Sequence, residues 1–196
     1  ASLVLFVLVL VVFGLLSPAF FQVENAVNIL IQTSSTGILA VGMTLVLLTA
    51  GVDLSVGAVM FVAAAVGGKL ILGGWSLGPV LAVMLGIGLL FGALNALFIT
   101  RLAVMAFIVT LATRYFGRGL GLRITEPRAM NLPESFYELG AARILGVPAP
   151  VLIFATVVLL AHLTLIRTPF GRQIYAVGAD LEAARKAGIH TAGVLF

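Results

Sequence analysis

The sequence has no cysteine and very little charge. Only 9% of its 196 residues are charged, against about 25% in a typical soluble domain. The absence of cysteine excludes disulfides, thiolate nucleophiles and zinc–thiolate sites together. The scarcity of charge excludes a soluble globular enzyme, because too few charged side chains remain to cover a water-facing surface.

Hydrophobic residues make up 62% of the chain, and the mean hydropathy is +1.25. The longest uncharged stretch, 70–100, exceeds the roughly 20 residues that a helix needs to cross a bilayer. We therefore predict an all-α, polytopic integral membrane bundle with about six hydrophobic segments, forming a single transmembrane domain over 1–196. Apolar residues resume at 193–196, so the chain is expected to be a fragment. The six segments are 1–16, 25–52, 54–68, 77–100, 102–122 and 151–166.

The net charge of +4 comes from residues in short connecting segments. This distribution suits membrane orientation and not nucleic-acid binding, which requires a continuous basic face. Because basic loops stay in the cytoplasm, Arg101 and the segment 167–190 are predicted to be cytoplasmic, and the polar loop 123–148 to lie outside. Arg114 and Arg118 lie four residues apart on one helix face, where they either snorkel outward or line a polar interior.

Glycines spaced four residues apart predict where helices approach closely. Small residues let helix backbones come together in lipid, where there is no hydrophobic force between helices. Two such pairs stand out, Gly88 with Gly92 and Gly117 with Gly121. Both are predicted to serve helix packing.

An acid interrupts the second apolar segment, where Gly51 and Asp53 precede a short alanine-rich helix. A carboxylate within a transmembrane stretch costs about 2.5–3.5 kcal/mol and is a functional candidate by default. Asp53 either caps the following helix or contacts a substrate, and the segment forms either a broken or re-entrant helix or a join between two clean spans. The candidate residues of a translocation pathway at this break are Thr44, Gly51, Asp53, Ser55, Gly57 and Asn95.

No catalytic or nucleotide-binding apparatus is visible in the sequence. The run Gly67-Gly68-Lys69-Leu70 lacks the earlier glycine and the following Ser or Thr of a phosphate-binding loop. His162 and His190 have no carboxylate or cysteine at ligand spacing, so neither a metal site nor a Ser–His–acid arrangement is supported. We expect no cofactor on this chain and no catalytic residue.

A short helix is predicted in the cytoplasmic loop. Asp180 can cap it, Glu182 sits at its positive end, Arg185 lies at its negative end, and Gly188 can adopt the left-handed stop. A helix this short is not stable alone in water, so it needs a surface to dock on. The alternative is an amphipathic connector that lies on lipid headgroups.

Three stretches of the sequence carry a family resemblance: Gly42-Met43-Thr44, the run 50–57 (AGVDLSVG), and the run 171–178 (GRQIYAVG) leading into Glu182-Ala183-Ala184-Arg185 with Gly188-Ile189. Over nearly its whole length the chain resembles the permease subunits of bacterial ABC sugar importers of the ribose, xylose, galactofuranose and autoinducer-2 type. Branched-chain amino-acid permeases are more distant relatives.

The resemblance implies a permease in the bacterial inner membrane that works with other proteins. These partners are a second permease copy or homologue, ATP-binding-cassette ATPase subunits that bind the ATP, and a periplasmic or extracellular sugar-binding protein. It also implies that a coupling helix docks on the ATPase through Asp180, Glu182, Ala183, Ala184, Arg185, Gly188 and Ile189.

We therefore expect a permease that conducts a monosaccharide-like solute into the cytoplasm, since neutral hydrogen-bonding groups and few charges suit a sugar pathway. An ion-coupled secondary transporter, with Asp53 as a proton or cation site, is the main alternative. A membrane-embedded enzyme or a purely structural subunit is disfavoured by the missing catalytic groups.

Overall fold

The fold is an all-α helical bundle, as predicted, to which the structure adds one very small hairpin. The computed structural model describes residues 2–196, apart from the side chains of Ser2, Ser135, Glu138, Leu139 and Ala141. The elements in chain order are α1 (Ser2–Leu16), α2 (Val23–Leu48), α3 (Val56–Leu72), α4 (Leu77–Thr100), α5 (Ala106–Thr125), α6 (Glu134–Ala141), β1 (Arg143–Ile144), β2 (Val147–Pro148), α7 (Ala149–Arg167), α8 (Pro169–Ala179), α9 (Leu181–Lys186) and α10 (Thr191–Leu195).

The six predicted hydrophobic segments correspond to α1–α5 and α7. Three of these helices, α2, α4 and α7, are long and apolar enough to cross a membrane, whereas α1 and α3 are shorter apolar helices. Helix α5 is long but carries Arg114, Arg118 and Arg123. The chain is therefore a multi-pass membrane protein.

Helix α3 packs against both α4 and α5, and α2 packs against α7. At the α3–α5 contact, a Cβ added to Gly117 would lie 3.2 Å from the Cβ of Ala58, and one added to Gly121 would collide with the ring of Phe61. The predicted packing role of this glycine pair is confirmed. At Gly88 and Gly92 an added Cβ would meet nothing within 4 Å among the described residues, so their packing role stays a prediction.

One end of the bundle carries the short helices α8–α10. A Cβ added to Gly171 of α8 would collide with the carbonyl oxygens of Thr164 and Leu165 at the end of α7. Helix α8 also contacts α2, and α10 contacts α4. The ends of α2, α4 and α7 thus lie together with the segment 167–190, at what the basic residues predict to be the cytoplasmic end.

The opposite end holds the loop 123–148, which is more ordered than the sequence suggests. Helix α6 and the antiparallel pair β1–β2, in register Arg143↔Pro148 and Ile144↔Val147, form within it. Gly146 takes the left-handed conformation that this tight hairpin requires, with φ +82°. A two-residue strand leaves almost no periodic signal in the sequence, so the hairpin could not be predicted from hydrophobic alternation.

The predicted break lies between α2 and α3. Helix α2 ends in a Schellman motif, in which the Ala50 N–H donates to Leu47 O at 2.9 Å and the Gly51 N–H donates to Val46 O at 3.1 Å. Ala50 takes the left-handed conformation of this motif, with φ +57°. Because α2 has 26 residues and spans about 39 Å, it completes a crossing before the break. Residues 49–55 therefore join two separate helices near the end of the bundle that carries α8–α10.

Candidate functional site

Asp53 holds the start of α3 in place without being its N-cap. Its Oδ1 accepts hydrogen bonds from the Ser55 backbone N–H at 2.7 Å and from the Ser55 hydroxyl at 2.6 Å. Ser55 is the N-cap of α3, because its carbonyl accepts the first helical bonds, from Ala58 and Val59. Asp53 thus accepts a free backbone N–H at the start of α3, as its predicted capping role requires, although the N-cap position is Ser55.

A chain of side-chain hydrogen bonds ties this break to α4 and α5. The Asn95 Nδ2 donates to Ser55 Oγ at 3.1 Å, and the Thr113 hydroxyl donates to Asn95 Oδ1 at 2.6 Å. Ser55 is 1% exposed and Asn95 is 7% exposed. Every bond points the same way, from Thr113 through Asn95 and Ser55 to the acceptor-only carboxylate of Asp53. We call Asp53, Ser55, Asn95 and Thr113 the break network.

A side chain of α5 also approaches the backbone of the break. The buried Thr110 hydroxyl lies 3.3 Å from Val52 O and 2.8 Å from Ala106 O in its own helix. Among the described residues, no buried side-chain nitrogen or oxygen lacks a hydrogen-bond partner. In a membrane protein, irregular backbone is tolerated where other protein groups cover it, as Asp53, Ser55 and Asn95 do at the start of α3.

Asp53 and Asn95 line two neighbouring cavities. One, of about 240 Å³, is also lined by Thr49, Gly51 and Leu195. The other, of about 210 Å³, is also lined by Ser55 and Gly88. Gly92 lines both cavities, and the absence of side chains at Gly88 and Gly92 keeps this space open.

The groups that face these cavities are a carboxylate, an amide and hydroxyls. Carboxylate oxygens accept hydrogen bonds, amides both donate and accept, and hydroxyls do both. Groups of these kinds can bind a polyhydroxylated solute, because they can replace the hydrogen bonds that the solute makes with water. The acidic group is already engaged by two donors from Ser55.

Two of the predicted pathway residues lie outside the break network and its cavities. Thr44 is exposed on α2, and its hydroxyl donates to Ala40 O at 2.7 Å within the same helix. Gly57 lines a separate groove on the α3–α5 surface. Of the other candidates, Gly51 lines one cavity, and Asp53, Ser55 and Asn95 form the network itself.

Sequence reasoning missed Thr113 and Thr110. Both lie on α5, three residues apart and therefore on one face. Hydroxyls in apolar helices usually bond to the backbone of their own helix, as that of Thr110 also does. The one sequence signal for a contact with the break was therefore that Thr110 and Thr113 share a helix face.

The groove that contains Gly57 has a volume of about 470 Å³ and is also lined by Phe61, Arg114 and Arg118. Both arginines are exposed, and none of the described residues that line the groove is acidic. Arg114 lies about 12 Å from one end of α5 and about 16 Å from the other. Because an arginine near the middle of a span is poorly placed to snorkel, the polar-interior alternative is favoured.

Helix α9 is capped at both ends as predicted. The Asp180 Oδ1 accepts from the Ala183 N–H at 2.9 Å. At the other end the Gly188 N–H donates to Arg185 O and the Ile189 N–H to Ala184 O, each at 3.1 Å, with Gly188 at φ +84°. This is a second Schellman motif.

The surface of α9 is almost entirely exposed. Glu182, Ala183 and Arg185 are exposed, and only Ala184, at 4% exposure, is buried against the rest of the chain. Of the predicted coupling residues, all but the buried Ala184 and the half-buried Ile189 therefore face solvent. Its docking on another protein stays a prediction.

Comparisons with known proteins agree on one family. The profile described as "Branched-chain amino acid transport system / permease component" matches residues 25–196. The ribose import permease protein of Haemophilus influenzae is 36% identical over 96% of this chain and 60% of that protein. The galactofuranose transporter permease protein of Escherichia coli is 37% identical over 97% of this chain and 58% of that protein.

The D-allose transport system permease protein of Escherichia coli is 34% identical over 93% of this chain and 57% of that protein. The chain thus spans about 60% of the length of the curated relatives that it matches. No solved structure matches it.

The break network predicts a specific loss of stability. Replacement of Asn95 by Ala removes the acceptor of the Thr113 hydroxyl and the donor to Ser55, so we expect the free energy of unfolding in detergent to fall by about 1–3 kcal/mol. Replacement of the exposed Asn131 by Ala should change it by less than about 0.5 kcal/mol. Equal effects of the two substitutions on the unfolding midpoint would contradict a structural role for the network.

Proposed function

Because the chain belongs to the family of branched-chain amino acid transport system permease components, we propose that it is the transmembrane permease subunit of an ATP-binding-cassette importer. In this proposal it carries a monosaccharide-like solute across the bacterial inner membrane into the cytoplasm. The observation that carries the proposal is the break network, which presents neutral hydrogen-bonding groups and one engaged carboxylate to two cavities.

The choice of a sugar over an ion rests on the chemistry of these cavities. Among the described residues that line the two cavities, Asp53 alone is acidic. Its Oδ1 already accepts two hydrogen bonds from Ser55. Amides and hydroxyls can both donate and accept hydrogen bonds, and Asn95, Ser55 and Thr49 line these cavities, although each is also bonded within the protein. The names of the relatives, which include ribose, galactofuranose and allose, support the same substrate class.

The energy for transport is proposed to come from partner subunits. Helix α9 is exposed, capped at both ends and charged, with Glu182 in its first turn and Arg185 and Lys186 in its last. Such a rod suits insertion into a groove of an ATP-binding-cassette ATPase. A second permease copy or homologue and a periplasmic or extracellular sugar-binding protein complete the proposed assembly.

An ion-coupled secondary transporter is the second candidate, and the position of Asp53 in both cavity linings favours it. The two functions differ in what energises uptake. We expect uptake of radiolabelled D-ribose or D-allose by vesicles that hold the full-length permease and its partners to stop when ATP is removed and to persist when ionophores collapse the ion gradients. Uptake that survives ATP removal but fails with ionophores would reject the importer.

Replacement of Asp53 by Asn tests whether the carboxylate acts through its charge. The Asn Oδ1 can still accept from the Ser55 N–H and hydroxyl, so we expect normal assembly and substantial retained uptake. Replacement by Ala removes the acceptor and should lower stability by about 1–3 kcal/mol. A well-folded Asp53→Asn protein with no uptake would instead favour the ion-coupled alternative.

Reversal of one charge on α9 tests its docking. We expect Glu182→Lys to weaken co-purification of the ATPase. The substitution reverses the charge of an exposed residue on the proposed docking surface, and it places a cation at the positive end of the helix. Glu134→Lys makes the same change at an exposed residue at the opposite end of the bundle and should leave co-purification unchanged. Equal ATPase recovery from both variants would remove Glu182 from the interface.

A further inference from the structure

Helix α8 connects the coupling helix to the bundle through a short, stiff joint. Helix α8 ends at Ala179, α9 begins at Leu181, and only Asp180 lies between them. The Asp180 N–H donates to Ala176 O at 3.1 Å, and its carboxylate caps α9. The two helices therefore share one hydrogen-bonded residue, which leaves little slack between them.

One face of α8 is turned into the protein. Gly171, Ile174 and Val177 are buried and recur at intervals of three residues. Ile174 is 4% exposed and Val177 is 3% exposed. This packed face anchors α8 on the ends of its neighbours, so α8 is not a free linker.

At the end of this face, Gly178 touches the end of α2. A Cβ added to Gly178 would collide with the backbone carbonyl of Leu48 and would lie 3.4 Å from Thr49 Cα. The contact is thus between two backbones, without an intervening flexible side chain. Leu48 is the last residue of α2, and only four residues lie between it and Asp53 along the chain.

The segment after the coupling helix reaches the same place. Helix α10 contacts α8, α9 and α4, and Leu195 lines the cavity that contains Thr49, Gly51 and Asp53. Both flanks of α9 therefore contact the break or its cavity. Packed interiors are stiff enough to transmit displacements of this kind.

We propose that Gly178 is a positioning residue that transmits displacement of the coupling helix α9 to the break at 49–53, and so to Asp53 and its cavities. This inference rests on the proposed function, since a partner ATPase must move α9. Glycine is required at this position because any side chain would separate α8 from the Leu48 carbonyl.

These 196 residues contain no cysteine, so a cysteine introduced here can be followed by thiol labelling once any cysteines in the rest of the permease and in the ATPase are replaced. Val52, 39% exposed and in the cavity lining, is replaced by Cys in the full-length permease assembled with its ATPase. We expect the rate of labelling by a small maleimide to change about fivefold or more when ATP and vanadate trap the ATPase, the lower end of typical coupling factors. In the Gly178→Ala background the ATPase should still bind and hydrolyse ATP. The labelling rate, however, should no longer change when ATP and vanadate trap the ATPase.

Insertion of two glycines between Ala179 and Asp180 provides a second variant that leaves the Gly178 contact intact. It should abolish the labelling response in the same way, with ATPase binding retained. The matched control is insertion of two glycines after Gly146, in the hairpin at the opposite end, which should preserve the response.

The outcomes separate the two proposals. If the ATPase binds and the labelling response persists in the variant with glycines after Ala179, the proposed role of the α8–α9 connection is wrong, while the proposed function stands. If Gly178→Ala keeps a full response, the residue is not the transmitting contact. If the ATPase does not associate with the unaltered permease, the proposed function fails, and the joint fails with it.

Discussion

The structure depends on how the polar groups of one helix break are satisfied inside an apolar bundle. A helix that stops and restarts leaves backbone donors and acceptors without partners, and lipid cannot supply them. In this chain the Asp53 carboxylate accepts from the Ser55 N–H, and the Thr110 hydroxyl lies 3.3 Å from the Val52 carbonyl while also bonded within its own helix. Because Ser55 and Asn95 are then linked to Thr113, the same bonds that satisfy the break fix the relative positions of α3, α4 and α5.

This arrangement explains why the candidate site and the short helices α8–α10 lie close together. Helix α2 crosses the full thickness of the bundle before it breaks, so the break is placed beside the ends of α4 and α7, where α8–α10 pack. Asn95 is only five residues from the end of α4, or about 8 Å along its axis. A force applied to α9 therefore has a short path to the hydrogen-bonding groups, and no long-range relay is needed.

Much of this could be predicted from the sequence because it depends on local chemistry. Apolar length predicted the spans, and Asp180 and Gly188 predicted the caps of α9, since a cap depends on residues within one turn. The partners of Asn95 could not be predicted, because Ser55 and Thr113 meet it through the packing of three helices. Spacing alone assigned Gly88 and Gly92 to packing, which stays a prediction, and among the described residues they leave space beside Asp53.

The two arginines of α5 constrain which surface of the bundle can face lipid. An arginine near the middle of a span costs about 2.5–3.5 kcal/mol even on the most tolerant scales, and Arg114 and Arg118 lie on the same face of the helix. The groove they line also contains Gly57, two residues after the N-cap Ser55. Since guanidinium groups require water or hydrogen-bond acceptors, we expect this face of α5 to be turned away from hydrocarbon. The polar side of the bundle therefore extends from the break network along the α3–α5 surface.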